Sequence, residues 1–368
     1  MASRLSRYGG CALIIPPLLV ASYVLASLPI TQNQLPGPVD PGLASLPLNS
    51  RARVLYSEDF MEGGAYVQLP MGRVRYWLIG PTSGKKIVLV HGISIPSFAF
   101  VRLAPILAAA GYRVLIYDLY GRGYSDAPQD TAYDPQLYVV QLALLLQHLQ
   151  WTRVRLIGFS MGGAIAASFV AAFPALVEPD VVLIASAGAG RSQVPVSRFA
   201  HWSFFEWLTR RELASRVVSA NETESPLQEI VRLQAEHLRG YTRALISSHR
   251  DGLIEKLQWA FSSSTWRGRR VLLINGDRDI VVPPVAAQVL RGMLASVGTA
   301  TPSANSTPDE SEPAADAPPD VSLVPVPGAG HHLIWTHTDE VARAVLKFLG
   351  AGGLKVAAAT EQGQSLEG

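Results

Sequence analysis

The chain has 368 residues, 48% of them hydrophobic and only 16% charged, which excludes a disordered or coiled-coil protein and suits one α/β domain carrying insertions. Net charge is +2, contributed by Arg4 and Arg7; beyond residue 30, 29 basic residues face 29 acidic ones, so nothing is left to neutralise phosphates and no nucleic-acid partner is expected. The single cysteine, Cys11, excludes an intramolecular disulfide and a thiolate metal site.

Residues 9–30 form an uncharged apolar run, and about 20 residues at 1.5 Å each cover a bilayer core of roughly 30 Å. The expectation for residues 1–30 is therefore a membrane anchor. The competing reading is a cleaved signal peptide, with Arg4 and Arg7 as its basic end and Val24 and Ala26 as small residues before a cut. Either way the basic end favours the cytoplasm and puts the body in the lumen or outside. Two sequons, beginning at Asn221 and Asn305, are compatible with that placement. Residues 31–50 are rich in proline and read as a linker.

Two short runs, 66–69 and 73–80, flank a Met71-Gly72 turn and predict an antiparallel hairpin. Continuous apolar runs follow at 86–91 (KIVLVH), 112–119, 154–159, 181–186, 270–275 and 322–326, the pattern of strands covered on both faces. Helical spacing occupies 96–110, 136–150, 161–173, 284–296 and 339–349. The predicted class is α/β: a mostly parallel central sheet with helices on both faces, its core built from 51–188 and 269–350. Residues 189–268 break the alternation with helical pieces only, such as 202–219 and 226–248, and predict a helical lid over the strands' carboxyl ends. Residues 298–320 hold five acids, five prolines and no aromatic residue; they are expected to be disordered and to emerge at the strands' amino ends. Residues 351–368 read as a flexible tail.

The chemistry is expected at strand ends. Gly158-Phe159-Ser160-Met161-Gly162 follows one predicted strand and opens a small-residue helix, a sharp turn that lifts the Ser160 hydroxyl above the sheet. A serine hydroxyl needs a base, itself oriented by an acid. His331 follows the last strand within Gly328-Ala329-Gly330-His331-His332 and is favoured over His332, because the Gly-Ala-Gly turn presents it first. Both Asp277 and Asp279, after the penultimate strand, can reach it; Asp279 is favoured as the acid, leaving Asp277 to bond the turn. The backbone N–H groups of Ile93, in His91-Gly92-Ile93-Ser94, and of Met161 are the candidates for an oxyanion hole. The His91 ring is read as bonding its own loop, and Arg122 as a solvated or turn-stabilising residue.

HGIS, YDLYGRGYSDAP (117–128), GFSMGG, NGDRDIVVP and GAGHH stand in the order and spacing of the α/β-hydrolase superfamily. Over about residues 65–350 the chain resembles its monoacylglycerol-lipase, esterase and proline-iminopeptidase branches. The resemblance implies a serine hydrolase working through an acyl-enzyme, with Ser160, Asp279 and His331 as triad and no metal or organic cofactor. HGIS lacks the additional glycines of some branches, which leaves the acyl preference open. Ser160 stands where epoxide hydrolases and haloalkane dehalogenases carry an aspartate, which disfavours those chemistries. The aromatic residues Trp202, Phe204, Phe205 and Trp207 either line an acyl tunnel or pack the lid on the body. Together with the N-terminal run they favour a lipid carboxylester, such as a monoacylglycerol, as substrate. An aminopeptidase would need an acidic cluster in the lid, for which Glu206, Glu212, Glu222 and Glu224 are available. A non-catalytic binding protein on the same fold is the third class.

Overall fold

The computed structural model describes residues 38–190, 225–298 and 317–351. The strands in chain order are β1 (Val39–Asp40), β2 (Gly64–Leu69), β3 (Gly72–Ile79), β4 (Lys85–Val90), β5 (Tyr112–Tyr117), β6 (Ala127–Pro128), β7 (Val154–Phe159), β8 (Val177–Ile184), β9 (Arg270–Gly276) and β10 (Asp320–Val326). Eight of them form one sheet in the order β10-β9-β8-β7-β4-β5-β3-β2. Every pairing from β10 across to β5 is parallel, and the β2–β3 hairpin joins antiparallel at the β5 edge.

The apolar runs explain the layers. Val88, Val90, Leu115, Leu156, Leu183 and Leu273 face one core, while Ile87, Leu89, Ile116, Ile157, Ile184 and Ile274 face the other. Each strand therefore feeds both faces alternately, as its period of two requires. Fully burying one such side chain is worth roughly 1.5–3 kcal/mol. The helices are α1 (Arg51–Leu55), α2 (Leu103–Ala109), α3 (Pro135–His148), α4 (Met161–Ala172), α5 (Pro226–His237), α6 (Arg239–Arg250), α7 (Gln258–Phe261), α8 (Pro284–Ala295), α9 (Leu333–Thr336) and α10 (Thr338–Phe348). Side chains of α3, α4 and α8 cover the first face; those of α2, α5 and α10 cover the second.

Four boundaries differ from expectation. The linker gives way to folded structure from Pro38. Val39–Asp40 pairs antiparallel with Ala127–Pro128, Leu43 is only 1% exposed, and Asp40 meets Arg243 at 2.7 Å. One buried leucine and one paired acid outweigh a proline-rich composition. The acidic segment ends before residue 320. Asp320 N–H donates to Arg269 O at 2.9 Å and opens β10, two residues ahead of the predicted strand. As the last strand of the sheet, β10 is half exposed and tolerates Pro325, which hides its period. Strand β8 begins at Val177, because buried Asp180 is paired with Arg155 and Arg270. The helical stretch predicted over 226–248 breaks at Leu238, whose backbone is extended. Gly240 then lies where a Cβ would come within 2.2 Å of Ala127 Cβ.

The described half of the predicted lid lies at the strands' carboxyl ends: Tyr241 OH donates to Ser94 O, just past β4, and Gly188 N–H, past β8, donates to Ile254 O. The ends of the acidic insertion, Gly298 and Ala317, lie at the opposite end, where Gly268 N–H donates to Ala317 O at 2.7 Å. The N-terminal run, both sequons, the 202–207 aromatics, residues 299–316 and the tail beyond residue 351 fall outside the described residues. Among the described residues no helix is long and apolar enough to cross a membrane.

Asp118, just past β5, ties the loop after β4 to the turn that follows it. Its carboxylate accepts from the Ser97 and Tyr124 amides, both at 2.8 Å, and from Tyr56 OH at 3.0 Å. Burial, against these bonds, raises its pKa from 3.8 to about 6. Between those values the unfolded chain has lost a proton that the folded one keeps, so this group costs stability as pH rises through the window. Asp118→Asn carries no such cost. Its stability relative to the parent should therefore shift in its favour by about 2 kcal/mol from pH 4 to pH 6.5. Urea titrations at several pH values measure the difference; a constant offset would remove Asp118 as the cause.

Candidate active site

Ser160 sits between β7 and α4 at φ 55°, ψ −122°, a backbone conformation costing about 1–3 kcal/mol that its surroundings must enforce. They do so by contact. A Cβ on Gly158 would lie 2.3 Å from Gly162 O, and one on Gly162 would lie 1.9 Å from Val90 O. Only glycines let strand, turn and helix approach this closely. The turn is held further by Ser160 N–H to Ile184 O at 2.9 Å and Ala187 N–H to Ser160 O at 3.0 Å.

The three separated sequence motifs converge here. His331 Nε2 lies 3.0 Å from Ser160 Oγ, and His331 Nδ1 lies 2.8 Å from Asp279 Oδ2. The Asp279 carboxylate is fully buried; its other oxygen accepts from the Val281 and Val282 amides at 2.9 and 2.8 Å. The imidazole is 13% exposed and packs against the Phe159 ring at 5.2 Å between centroids. Asp277 lies elsewhere: its Oδ1 accepts from Gly328 N–H at 2.7 Å, bracing the turn that carries His331. His332 caps α9 beside its neighbour, and the bond to Ser160 is made by His331.

This order of groups has a fixed chemical capacity. The buried carboxylate accepts the Nδ1 proton, which leaves Nε2 with its lone pair toward the hydroxyl, the tautomer that removes a proton from serine. The two candidate oxyanion donors are backbone amides, one opening the helix after Ser160 and one in the loop after β4. Met161 N–H is the first amide of the 12-residue α4. Gly92 backs onto the serine, since a Cβ there would be 3.3 Å from Ser160 Cβ, and Ile93 follows it. Among the described residues neither the Ile93 nor the Met161 amide has an acceptor.

The His91 ring orients this loop. Leu119 N–H donates to His91 Nε2 at 2.9 Å, so the ring proton is on Nδ1 and is given to Gly92 O at 2.8 Å. Burial pushes the ring's pKa down to about 3, so it stays neutral through ordinary pH. In a trans peptide the C=O and N–H point in opposite directions. Holding the Gly92 carbonyl therefore turns the Ile93 N–H the other way. Arg122 is fully buried rather than solvated; it donates to Tyr120 O at 3.0 Å within its own turn, as the turn-stabilising reading expects, and beyond that to Ile93 O at 2.9 Å. Gln234 and Tyr241, which no motif marks, both donate to Ser94 O.

Residues 82–301 match the family described as "Serine aminopeptidase, S33". The chain belongs to this family. It has the α/β-hydrolase fold. It is 34% identical over 116 residues to a serine hydrolase-like protein of Danio rerio, 31% of this chain and 35% of that one. It is 26% identical over 213 residues to the uncharacterized hydrolase YugF of Bacillus subtilis, covering 54% and 74% of the two chains. The chain thus spans about a third of the zebrafish relative's length. Among solved structures, an esterase from Exiguobacterium antarcticum superposes with TM-score 0.60 at 21% identity, over 78% of this chain and 99% of the esterase. A membrane phospholipase A, described as a bacterial virulence factor, superposes with TM-score 0.57 at 22% identity, over 93% and 99%. These two likenesses concern the fold.

Proposed function

We propose that this protein cleaves carboxylesters by nucleophilic catalysis at Ser160, with His331 as base and then acid and Asp279 as its orienting partner. The observation that carries the reading is the continuous relay from Oγ through the imidazole to a buried carboxylate, at 3.0 and 2.8 Å. Ser160 Oγ attacks the ester carbonyl as His331 Nε2 takes its proton; the Ile93 and Met161 amides receive the oxyanion. The imidazolium returns the proton to the departing alkoxide, leaving an acyl-enzyme. Water, deprotonated by the same nitrogen, releases the acid and restores the serine.

The substrate we favour is a lipid carboxylester such as a monoacylglycerol. Residues 9–30 would hold the enzyme at a bilayer, with the catalytic body lumenal or extracellular, where lipids reach high local concentration. The family's description makes aminopeptidase activity the second reading. It requires an acid free to meet the substrate's ammonium. Within the described part of the helical insert, Glu229 is held by Arg51 and Arg232, Glu236 by Arg232 and Asp251 by Arg250, and Glu255 is engaged as well; Glu206, Glu212, Glu222 and Glu224, the acids named for that reading, lie outside the described residues.

Activity on p-nitrophenyl esters of graded chain length, on monoacylglycerols and on aminoacyl amides decides between these readings. Esterolysis rising toward longer chains supports the lipid ester; faster cleavage of aminoacyl amides would replace it by the aminopeptidase. A protein that a fluorophosphonate does not label and that cleaves nothing would be a binding protein.

A further inference from the structure

The loop beside Ser160 has an unusual support. Its three consecutive carbonyls, of Gly92, Ile93 and Ser94, accept from side chains: His91 Nδ1 at 2.8 Å, Arg122 Nε at 2.9 Å, and Tyr241 OH at 2.8 Å together with Gln234 Nε2 at 3.3 Å. The two peptide planes that meet at the Ile93 Cα are pinned separately, the first by His91 and the second by Arg122. Together they fix the direction of the Ile93 N–H.

Arg122 is the least expected member. Its five N–H donors meet five acceptors: Ile93 O, Tyr120 O, the Tyr138 hydroxyl, Ala244 O at 3.4 Å and Ser248 Oγ at 3.0 Å. All five are neutral, the residue is 0% exposed, and among the described residues no carboxylate lies within ion-pair distance. An unpaired buried cation is costly, and an apolar side chain could fill the space without that cost. A guanidinium here does two things an apolar group cannot. Its planar fork joins the loop after β4 to α3 and α6 in one rigid contact. Among the described residues its charge is uncompensated, and it stands behind the loop proposed to receive the negative charge of acyl transfer. That charge reaches the loop: Arg122 helps, after burial, to keep the His91 ring neutral.

We propose that Arg122 is a positioning residue for acyl transfer: by holding the Ile93 carbonyl it steadies the peptide next to the one that offers the oxyanion the Ile93 N–H, and its charge strengthens that offer. This rests on the reading of Ser160 as nucleophile. The role is exerted in the transition state, so it separates from simple support of the fold. Replacing Arg122 by methionine should lower kcat for a p-nitrophenyl ester by about 100-fold, with KM changed less than about threefold. Affinity for a trifluoromethyl ketone, which forms a tetrahedral oxyanion on the serine, should fall in step with kcat, while affinity for the product carboxylic acid should not. Arg122→Lys keeps a cation but not the fork, and should lose about tenfold in kcat and in ketone affinity.

Circular dichroism and melting temperature report whether each variant is folded. If Arg122→Met does not fold, Arg122→Lys carries the test alone. Folded protein with kcat and ketone affinity at the parent level overturns the proposal, as does loss of product affinity equal to the loss of ketone affinity. Should the lysine variant also fail to fold, Tyr241→Phe removes one neighbouring support of the same loop. A several-fold loss shared by kcat and ketone affinity supports the clamp; no loss overturns it. Failure of the underlying reading looks different: the parent enzyme itself would then resist fluorophosphonate labelling.

Discussion

Replacing Ser160 by alanine should lower kcat for a short p-nitrophenyl ester by roughly 10⁴- to 10⁶-fold. Covalent labelling by a fluorophosphonate should vanish with it. The fold should persist, because alanine keeps the Cβ and inherits the same strained backbone at φ 55°. What it loses is a single hydrogen bond of 3.0 Å to His331, worth about 1 kcal/mol, and the melting temperature should move by no more than about 4 °C. His332→Ala is the matched control, since His331 makes the bond to the hydroxyl; it should retain most of the activity. Undiminished turnover in Ser160→Ala would end the serine-hydrolase reading.

What could be read from the amino-acid order follows from which forces are local. The runs at 86–91 and 154–159 are legible because strands buried on both faces must be apolar at every position, and β4 and β7 stand within a residue of them. The elbow at Ser160 is legible because its strand, its glycines and its small-residue helix are contiguous. Interactions between distant segments leave no such trace. Composition marks residues 38–43 as linker, yet the packing of Leu43 and the pairing of Val39 with Pro128 make them part of the body. The edge strand β10 carries Asp320 and Pro325 because one side faces no neighbour, so its start is obscured. Arg122, lying between two glycines, has the look of a turn residue. Its five acceptors come from four separate stretches of chain, and only folding brings them together. A large cation between two glycines in a chain this poor in charge is the one signal that could have singled it out.

The choice between Asp277 and Asp279 shows the same limit, since two residues of spacing leave both within reach of the imidazole, and it yields the second large effect. Asp279→Asn should lower kcat/KM by about 10³- to 10⁴-fold, with the fold intact. The Val281 and Val282 amides donate to one carboxylate oxygen, and in the variant they will select the amide oxygen for that place. The amide NH₂ is then left facing His331 Nδ1 across a gap that now measures 2.8 Å. Two donors cannot meet there, so Nδ1 must give up its proton and act as acceptor. The remaining ring proton moves to Nε2, the nitrogen that has to receive the serine proton, and the base is blocked. Asp277→Asn meets no such conflict. Gly328 N–H requires only an acceptor, which the amide oxygen supplies, so activity should stay within about threefold of the parent. Steady-state kinetics of the two variants on one ester decide the matter. A thousandfold loss at residue 277 with residue 279 spared would reverse the assignment.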